Sequence, residues 1–227
     1  MFNLANVSAS INFKKLIVLG LLLAIVFIFW NSIILYPFRL LVVLIHECGH
    51  AIATIATGGR VLEIRINPNE GGVAITQGGI RWIVLSAGYL GSAIFGVLIL
   101  YLSLFRNVRR YILKGLGVII LLVILFYVRD LFTLGYSLVT ALVLIFIGIK
   151  SNATLELYLL QFLGITSSLY ALFDIRSDLL HLSPNPMSDA SQLAQITFIP
   201  ALIWGILWAI LSVFLIYKVL IVIATRQ

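Results

Sequence analysis

Charged residues are scarce in this chain of 227 residues, and cysteine and histidine are scarcer still. Only 10% of the residues are charged, whereas 62% are hydrophobic. Soluble domains contain about a quarter charged residues, so this composition excludes a soluble protein and predicts a multi-pass integral membrane protein. The single cysteine, Cys48, excludes a disulfide bond within the chain.

Acidic residues are fewer than basic ones. The 8 aspartates and glutamates face 15 lysines and arginines, which gives a formal net charge of +7. The basic residues are scattered between apolar runs, which is typical of contact with lipid head groups, so we expect membrane lipid as a partner. No basic face with interleaved polar residues is present, and nucleic acid is therefore not expected as a partner.

Long apolar runs divide the chain, and most have the ~20 residues that a membrane-spanning helix requires. They are Leu16–Leu35, Leu40–Thr57, Trp82–Phe105, Gly117–Ile149, Thr154–Phe173 and Leu193–Lys218. The fourth run is too long for one span and contains Arg129 and Asp130, so it predicts two helices. The pattern predicts an all-α polytopic membrane protein with six or seven transmembrane helices, in a single domain over residues 1–227.

The residues from 59 to 81 form the longest polar interruption in the first half of the chain. Hydrophobic and polar residues alternate on both sides of the turn-rich segment Pro68–Gly72. A period of two around a turn predicts a small β-hairpin after the second helix. Its carboxylates, Glu63 and Glu70, are expected to be solvated.

Glycine and serine recur in the third apolar run. Gly88, Ser92 and Gly96 are spaced four residues apart, which gives one helix face with very little side-chain bulk. Such a face allows a second helix to approach closely in a membrane. We therefore predict a packing role for these residues rather than a role in a site.

The second predicted helix contains His46, Glu47 and His50 in the pattern H-E-x-x-H. Polar groups that face lipid are costly, so these residues must have a use there. Positions four apart share a helix face, and the two histidines can therefore bind the same metal ion. Glu47 would lie beside that ion, where its carboxylate can take a proton from a bound water. The pattern predicts one zinc ion with Glu47 as the catalytic base, and Cys48 points away from it.

A catalytic zinc usually has three protein ligands and one open position, so a third ligand must come from elsewhere in the chain. Asp174 is our first choice because it ends an apolar run. Asp189 follows a proline-containing loop and could instead cap the last helix, a role that Ser188 could equally take. Asp178 shares the face of Asp174 if that helix continues. The three candidates stay open in the order Asp174, Asp189, Asp178.

Further motifs follow the H-E-x-x-H segment along most of the chain. They are Gly58-Gly59-Arg60-Val61, Gly71-Gly72-Val73, Ala87-Gly88-Tyr89-Leu90-Gly91, Asp174-Ile175-Arg176-Ser177-Asp178 and Ser188-Asp189-Ala190. With these motifs the chain resembles the M50 family of membrane-embedded zinc metalloproteases, specifically the M50B-like branch related to the site-2 proteases.

The resemblance implies a zinc ion held by His46, His50 and an aspartate, with Glu47 as general base. In the site-2 proteases the third ligand belongs to a proline-rich Leu-Asp-Gly segment. This chain keeps the proline-to-aspartate spacing up to Asp189, but Ala190 stands where that family has glycine.

We therefore predict a membrane-embedded zinc metalloprotease that hydrolyses peptide bonds of transmembrane or membrane-associated proteins. A helical substrate must be unwound before attack, and a hairpin edge can pair with the extended segment. The hairpin residues expected to bind substrate are Leu62, Ile64, Ile66, Val73 and Ile75. The alternative is a catalytically inactive pseudoprotease, or a metal-binding membrane protein that binds client proteins. A third ligand near both histidines would favour the protease.

Overall fold

A computed structural model describes residues 13–180 and 186–225, with the side chains of residues 13, 14, 171 and 174–180 not described. Within these ranges the chain forms eight helices and one two-stranded antiparallel sheet. The helices are α1 (Phe13–Ile28), α2 (Tyr36–Ala56), α3 (Arg81–Leu102), α4 (Arg109–Tyr127), α5 (Leu131–Lys150), α6 (Ala153–Leu180), α7 (Asp189–Thr197) and α8 (Ala201–Thr225). The strands are β1 (Arg60–Ile66) and β2 (Gly72–Gln77).

Five of these helices, α2, α3, α4, α5 and α8, are long and apolar enough to cross a membrane. Helix α1 is a shorter apolar helix, and α6 has 28 residues. The break between α4 and α5 falls at Arg129 and Asp130, where the carboxylate of Asp130 accepts a hydrogen bond from the Thr133 amide at 2.9 Å. The predicted all-α polytopic architecture, with a β-hairpin after the second helix, is confirmed.

The hairpin packs on α2 through one face of β1. Ile64 and Ile66 are buried in the same core cluster as Leu40 and Leu44 of α2. The outer edge of β1 is also partnered at its end, because the Ile66 amide donates to the Thr133 hydroxyl at 2.9 Å. The hairpin is therefore a fixed part of the core, placed by α2 on one side and α5 on another.

Strand β2 runs alongside α2, and alternate residues of the strand lie beside successive turns of the helix. A Cβ added at Gly72 would lie 2.8 Å from Val43 and would also overlap the Glu47 carboxylate. One position further from the turn on that face, the Ala74 backbone hydrogen-bonds Glu47. The rise over two strand residues is about 6.6 Å and the rise over four helix residues is about 6 Å. The two lengths are nearly equal, so Gly72 and Ala74 lie beside residues of α2 that are four apart.

An ion pair fixes the turn of the hairpin to the start of α2. Arg39 is buried, and its Nε and Nη2 donate to the Glu70 carboxylate at 2.6 and 2.5 Å. Its Nη1 donates to the carbonyl oxygens of Trp30 and Ser32. The expectation that Glu70 is solvated is therefore wrong, because its partner lies 31 residues away, beyond the reach of a local pattern.

Replacing Glu70 with alanine should destabilise the protein by about 1–3 kcal/mol. Removing one partner of a fully buried pair costs about 3–5 kcal/mol, and the Glu70 side chain is 32% exposed, which screens part of that cost. Thermal unfolding in detergent, together with limited proteolysis of the hairpin turn, measures the effect. The control is Glu63→Ala, because Glu63 is 17% exposed but its partner Arg65 is 43% exposed and stays solvated when the pair is broken, so a loss of about 0–1 kcal/mol is expected. Equal losses in both variants would contradict a fixing role for Arg39 and Glu70.

Candidate metal centre

Two elements distant in sequence meet at the candidate site. Helix α2 supplies His46, Glu47 and His50, all of them buried, and α7 supplies Asp189. The Nε2 atoms of His46 and His50 each lie 3.1 Å from Asp189 Oδ2. One ligand atom from each of the three residues lies within 4.8 Å of the others. The structure therefore brings two imidazoles and one carboxylate oxygen to a single point.

Asp189 reaches this point because another residue caps α7. The Ser188 hydroxyl accepts a hydrogen bond from the Ser191 amide at 3.3 Å, so the carboxylate of Asp189 is not used as a cap. Ala190 and Leu193 are buried and pack in a cluster with residues of α3 and α8, which anchors this short helix. The apolar face of this short helix thus sets the direction in which Asp189 points.

Asp189 is held in its ionised form. Burial by itself raises the pKa of the Asp189 carboxyl, but the charge of His50 and the hydrogen bonds from both histidines outweigh burial and lower that pKa well below its ordinary value. A carboxylate must be deprotonated to bind a metal ion. Asp189 therefore has the charge that a ligand needs.

The first choice for the third ligand was Asp174, with Asp178 as a further alternate. Both belong to α6, and their side chains lie outside the described residues. That Asp174 or Asp178 is the third ligand stays a prediction. Asp189, the second choice, is the one described carboxylate that joins both histidines in a three-residue group.

Each histidine ring is oriented by a contact with a residue of α3. His50 Nδ1 lies 2.7 Å from the Val84 carbonyl oxygen of α3, which can only accept, so Nδ1 donates there and Nε2 is the nitrogen that faces Asp189. The His46 ring packs edge-to-face on Tyr89 of α3, with centroids 5.0 Å apart. A ring nitrogen that donates to a carbonyl while the other faces the site is the usual arrangement for a histidine that binds a metal ion.

Gly88 of α3 lies directly against the two histidine nitrogens. A Cβ added there would lie 2.5 Å from His50 Nε2 and would overlap His46 Nε2 as well. The space beside the two nitrogens exists because residue 88 has no side chain. The predicted packing role is therefore incomplete: Gly96 does pack on α6 at Gly164 and Ser168, whereas Gly88 borders the metal centre. Four-residue spacing alone could not distinguish the two positions.

A cavity of about 460 Å³ opens beside the three residues. It is bordered by α2, the hairpin turn and β2, the start of α3, and α7. Glu47 lies in its wall next to the histidines. An ion held by His46, His50 and Asp189 would therefore have both an open side and a carboxylate beside it.

The five hairpin residues predicted to bind substrate fall on different sides of the sheet. Ile64 and Ile66 are buried in the core, so their side chains are not available to a ligand. Leu62 and Ile75 are exposed. Val73 is exposed and also lines the cavity. Ile64 and Ile66 pair with Ala74 and Gly72, so they face the side of the sheet opposite to Val73 and Ile75. Leu62 falls at an irregularity of the pairing between Val61 and Glu63.

The donor set fits zinc. Histidine nitrogen and aspartate oxygen are common zinc ligands, and catalytic zinc sites keep three protein ligands with one position open. The glycine at position 88 supplies room for an ion, and the cavity lies on its open side. The residues present therefore suit a catalytic site better than a closed structural one.

The fold is that of a multi-pass integral membrane protein, and the site is a candidate metal centre. A family model described as Peptidase M50B-like matches residues 19–219. The chain belongs to this family, which confirms the resemblance inferred from its motifs. No curated protein and no solved structure matches the chain.

Proposed function

We propose that the protein is a zinc metalloprotease that hydrolyses peptide bonds of membrane-associated proteins. One observation carries the proposal: Asp189 Oδ2 lies 3.1 Å from Nε2 of both His46 and His50, beside the Glu47 carboxylate. The protease hypothesis required a third ligand of this kind, which is why we favour it over a pseudoprotease. When bound, zinc supplies Lewis acidity, which polarises a carbonyl group and acidifies water.

Glu47 is the residue that moves the proton in this proposal. Its carboxylate is buried next to His46 and faces the cavity, and the Ala74 backbone hydrogen-bonds it. The hydrogen bond from Ala74 holds the Glu47 carboxylate against β2. Glu47 accepts a proton from the attacking water and donates it to the departing amine.

Strand β2 provides a place for an extended substrate. It pairs with β1 on one edge, and within the described residues its other edge has no partner strand. Val73, Ala74 and Thr76 of this strand line the cavity. A substrate segment that pairs with the free edge would have its backbone carbonyls extended beside Glu47. Transmembrane or membrane-associated proteins are the expected substrates, because the site is built on helices that cross the membrane.

Chelation of the metal tests the proposal as a whole. We expect the protein purified in mild detergent to contain about one zinc ion per chain and to cleave model transmembrane peptides. A chelator should abolish cleavage, and added zinc should restore it. Elemental analysis and peptide mass spectrometry give the two readouts. Zinc-loaded protein that cleaves none of a varied set of peptides would support the pseudoprotease instead.

The third ligand can be identified with two matched variants. Asp189→Asn should weaken zinc binding by more than about 100-fold, because even losing a residue that only orients a ligand costs about 10–100-fold. Asp174→Asn, the matched change at the first-choice position, should keep wild-type affinity. Competition with a zinc indicator measures both. The reverse order would show that Asp174 is the ligand.

A further inference from the structure

Arg81 is an exposed cation at the edge of the cavity, and no charge of the described residues balances it. It is the first residue of α3 and lines the cavity together with the metal centre. Its Nη2 donates to the side-chain oxygen of Gln192 at 2.5 Å. A neutral amide oxygen satisfies the hydrogen bond but carries no charge. Among the described residues, no carboxylate forms an ion pair with Arg81.

Gln192 holds Arg81 at the cavity through a defined orientation. The Gln192 Nε2 donates to the Met187 carbonyl oxygen at 2.7 Å, so its Oε1 must be the atom that faces Arg81. Gln192 lies three residues after Asp189, and residues three apart lie on neighbouring positions of one helix face. Both line the cavity. The same face of α7 therefore sets the position of the metal ligand and of the guanidinium.

The other charges of the cavity wall cancel once a divalent ion is bound. Glu70 is neutralised by its pair with Arg39. The two charges of a zinc ion balance the carboxylates of Asp189 and Glu47. Among the described residues, Arg81 then leaves the cavity with one net positive charge. A substrate that enters this cavity meets an unbalanced guanidinium beside the place where its backbone would lie.

We propose that Arg81 is a specificity-determining residue that binds a carboxylate of the substrate. A guanidinium forms paired hydrogen bonds to a carboxylate, which fixes both the charge and the direction of its partner. The carboxylate comes from an aspartate or glutamate near the scissile bond or from a free C-terminus. This inference rests on the proposed protease function and adds a substrate class to it. The alternative is that Arg81 binds no substrate and only contacts lipid phosphate at the end of a membrane helix.

Binding of matched peptides to the zinc-loaded Glu47→Gln protein tests the proposal, because binding does not require cleavage. The probes are fluorescent apolar peptides in a non-ionic detergent free of phosphate. One arm compares a single glutamate with glutamine at successive positions of a peptide amide. The other arm compares a free C-terminal acid with its amide. We expect the acidic form to bind about two- to fivefold tighter in one of the arms, and the difference to shrink at about 0.5 M salt.

Variants at two arginines separate an effect specific to Arg81 from a general effect of removing a positive charge. Arg81→Gln should abolish the preference for the acidic peptide, whereas Arg81→Lys should keep part of it. Arg60→Gln is the matched control, because Arg60 also donates to a glutamine oxygen, that of Gln77 at 2.7 Å, but does not line the cavity. That variant should keep the full preference.

The possible outcomes are distinct. Equal binding of acidic and neutral peptides in both arms would overturn the proposal and leave Arg81 as a lipid contact. A preference that survives Arg81→Gln would overturn it as well. Failure of the protease function would appear separately, as wild-type protein that binds these peptides but cleaves none of them. A preference lost in Arg81→Gln and kept in Arg60→Gln supports the assignment, and the arm in which it occurs identifies the source of the carboxylate.

Discussion

Replacing Glu47 with glutamine should reduce peptide cleavage by about 10²–10⁴-fold while leaving the zinc content unchanged. Glutamine has nearly the same shape as glutamate, so the buried position between His46 and β2 remains filled. Its amide cannot accept the proton of the attacking water. The measurement is kcat on a model transmembrane peptide, with zinc content determined on the same sample.

Glu63→Gln is the control for this change. It also removes one carboxylate, but that carboxylate pairs with Arg65 on the hairpin and does not line the cavity. It should cleave at the wild-type rate. Full activity of Glu47→Gln would show that Glu47 is not the base and would remove the mechanism proposed above.

Adding one methyl group at Gly88 should abolish both zinc binding and cleavage. The Cβ of Gly88→Ala would occupy the space next to Nε2 of His46 and His50, and neither helix backbone can retreat easily. The packing of α2 on α3 is tight here, since a Cβ at Gly49 would overlap the Ala87 carbonyl oxygen. Zinc affinity and cleavage rate are the two measurements.

Gly115→Ala is the matched control for the methyl group. A Cβ at that position of α4 has no atom within 4 Å. We expect this variant to bind zinc and cleave as the wild type does, and both variants to keep wild-type helical content by circular dichroism. Normal zinc affinity in Gly88→Ala would contradict the position that the structure gives to α3 at the metal centre.

The features that local patterns predict correctly depend on neighbours in the sequence. The four-residue spacing of His46 and His50 places both on one face of a helix whatever surrounds it. The charged pair Arg129 and Asp130 interrupts an apolar run, and the chain breaks there between α4 and α5. Alternation with a period of two likewise predicts the hairpin, because it reflects the geometry of the strand itself.

The features that sequence reasoning missed or left open depend on contacts between distant segments. Nothing near Gly88 shows that two imidazoles lie against it rather than another helix. Glu70 resembles any polar turn residue until Arg39 is brought to it by the packing of the hairpin on α2. The sequence leaves Asp189 and Ser188 as equal candidates for the cap of the last helix, and only the folded chain shows a separate helix α7 with serine as its cap.

The distance in sequence between His46 and Asp189 has a consequence for the biosynthesis of the protein. They are 143 residues apart, and at about 5–20 residues per second the ribosome needs roughly 7–30 s to advance from one to the other. During that interval the nascent chain already holds the two histidines and Glu47 in the membrane but lacks α7. The complete three-residue site therefore assembles late, after most of the helices have been made, and the proposed protease would be inactive in an unfinished chain.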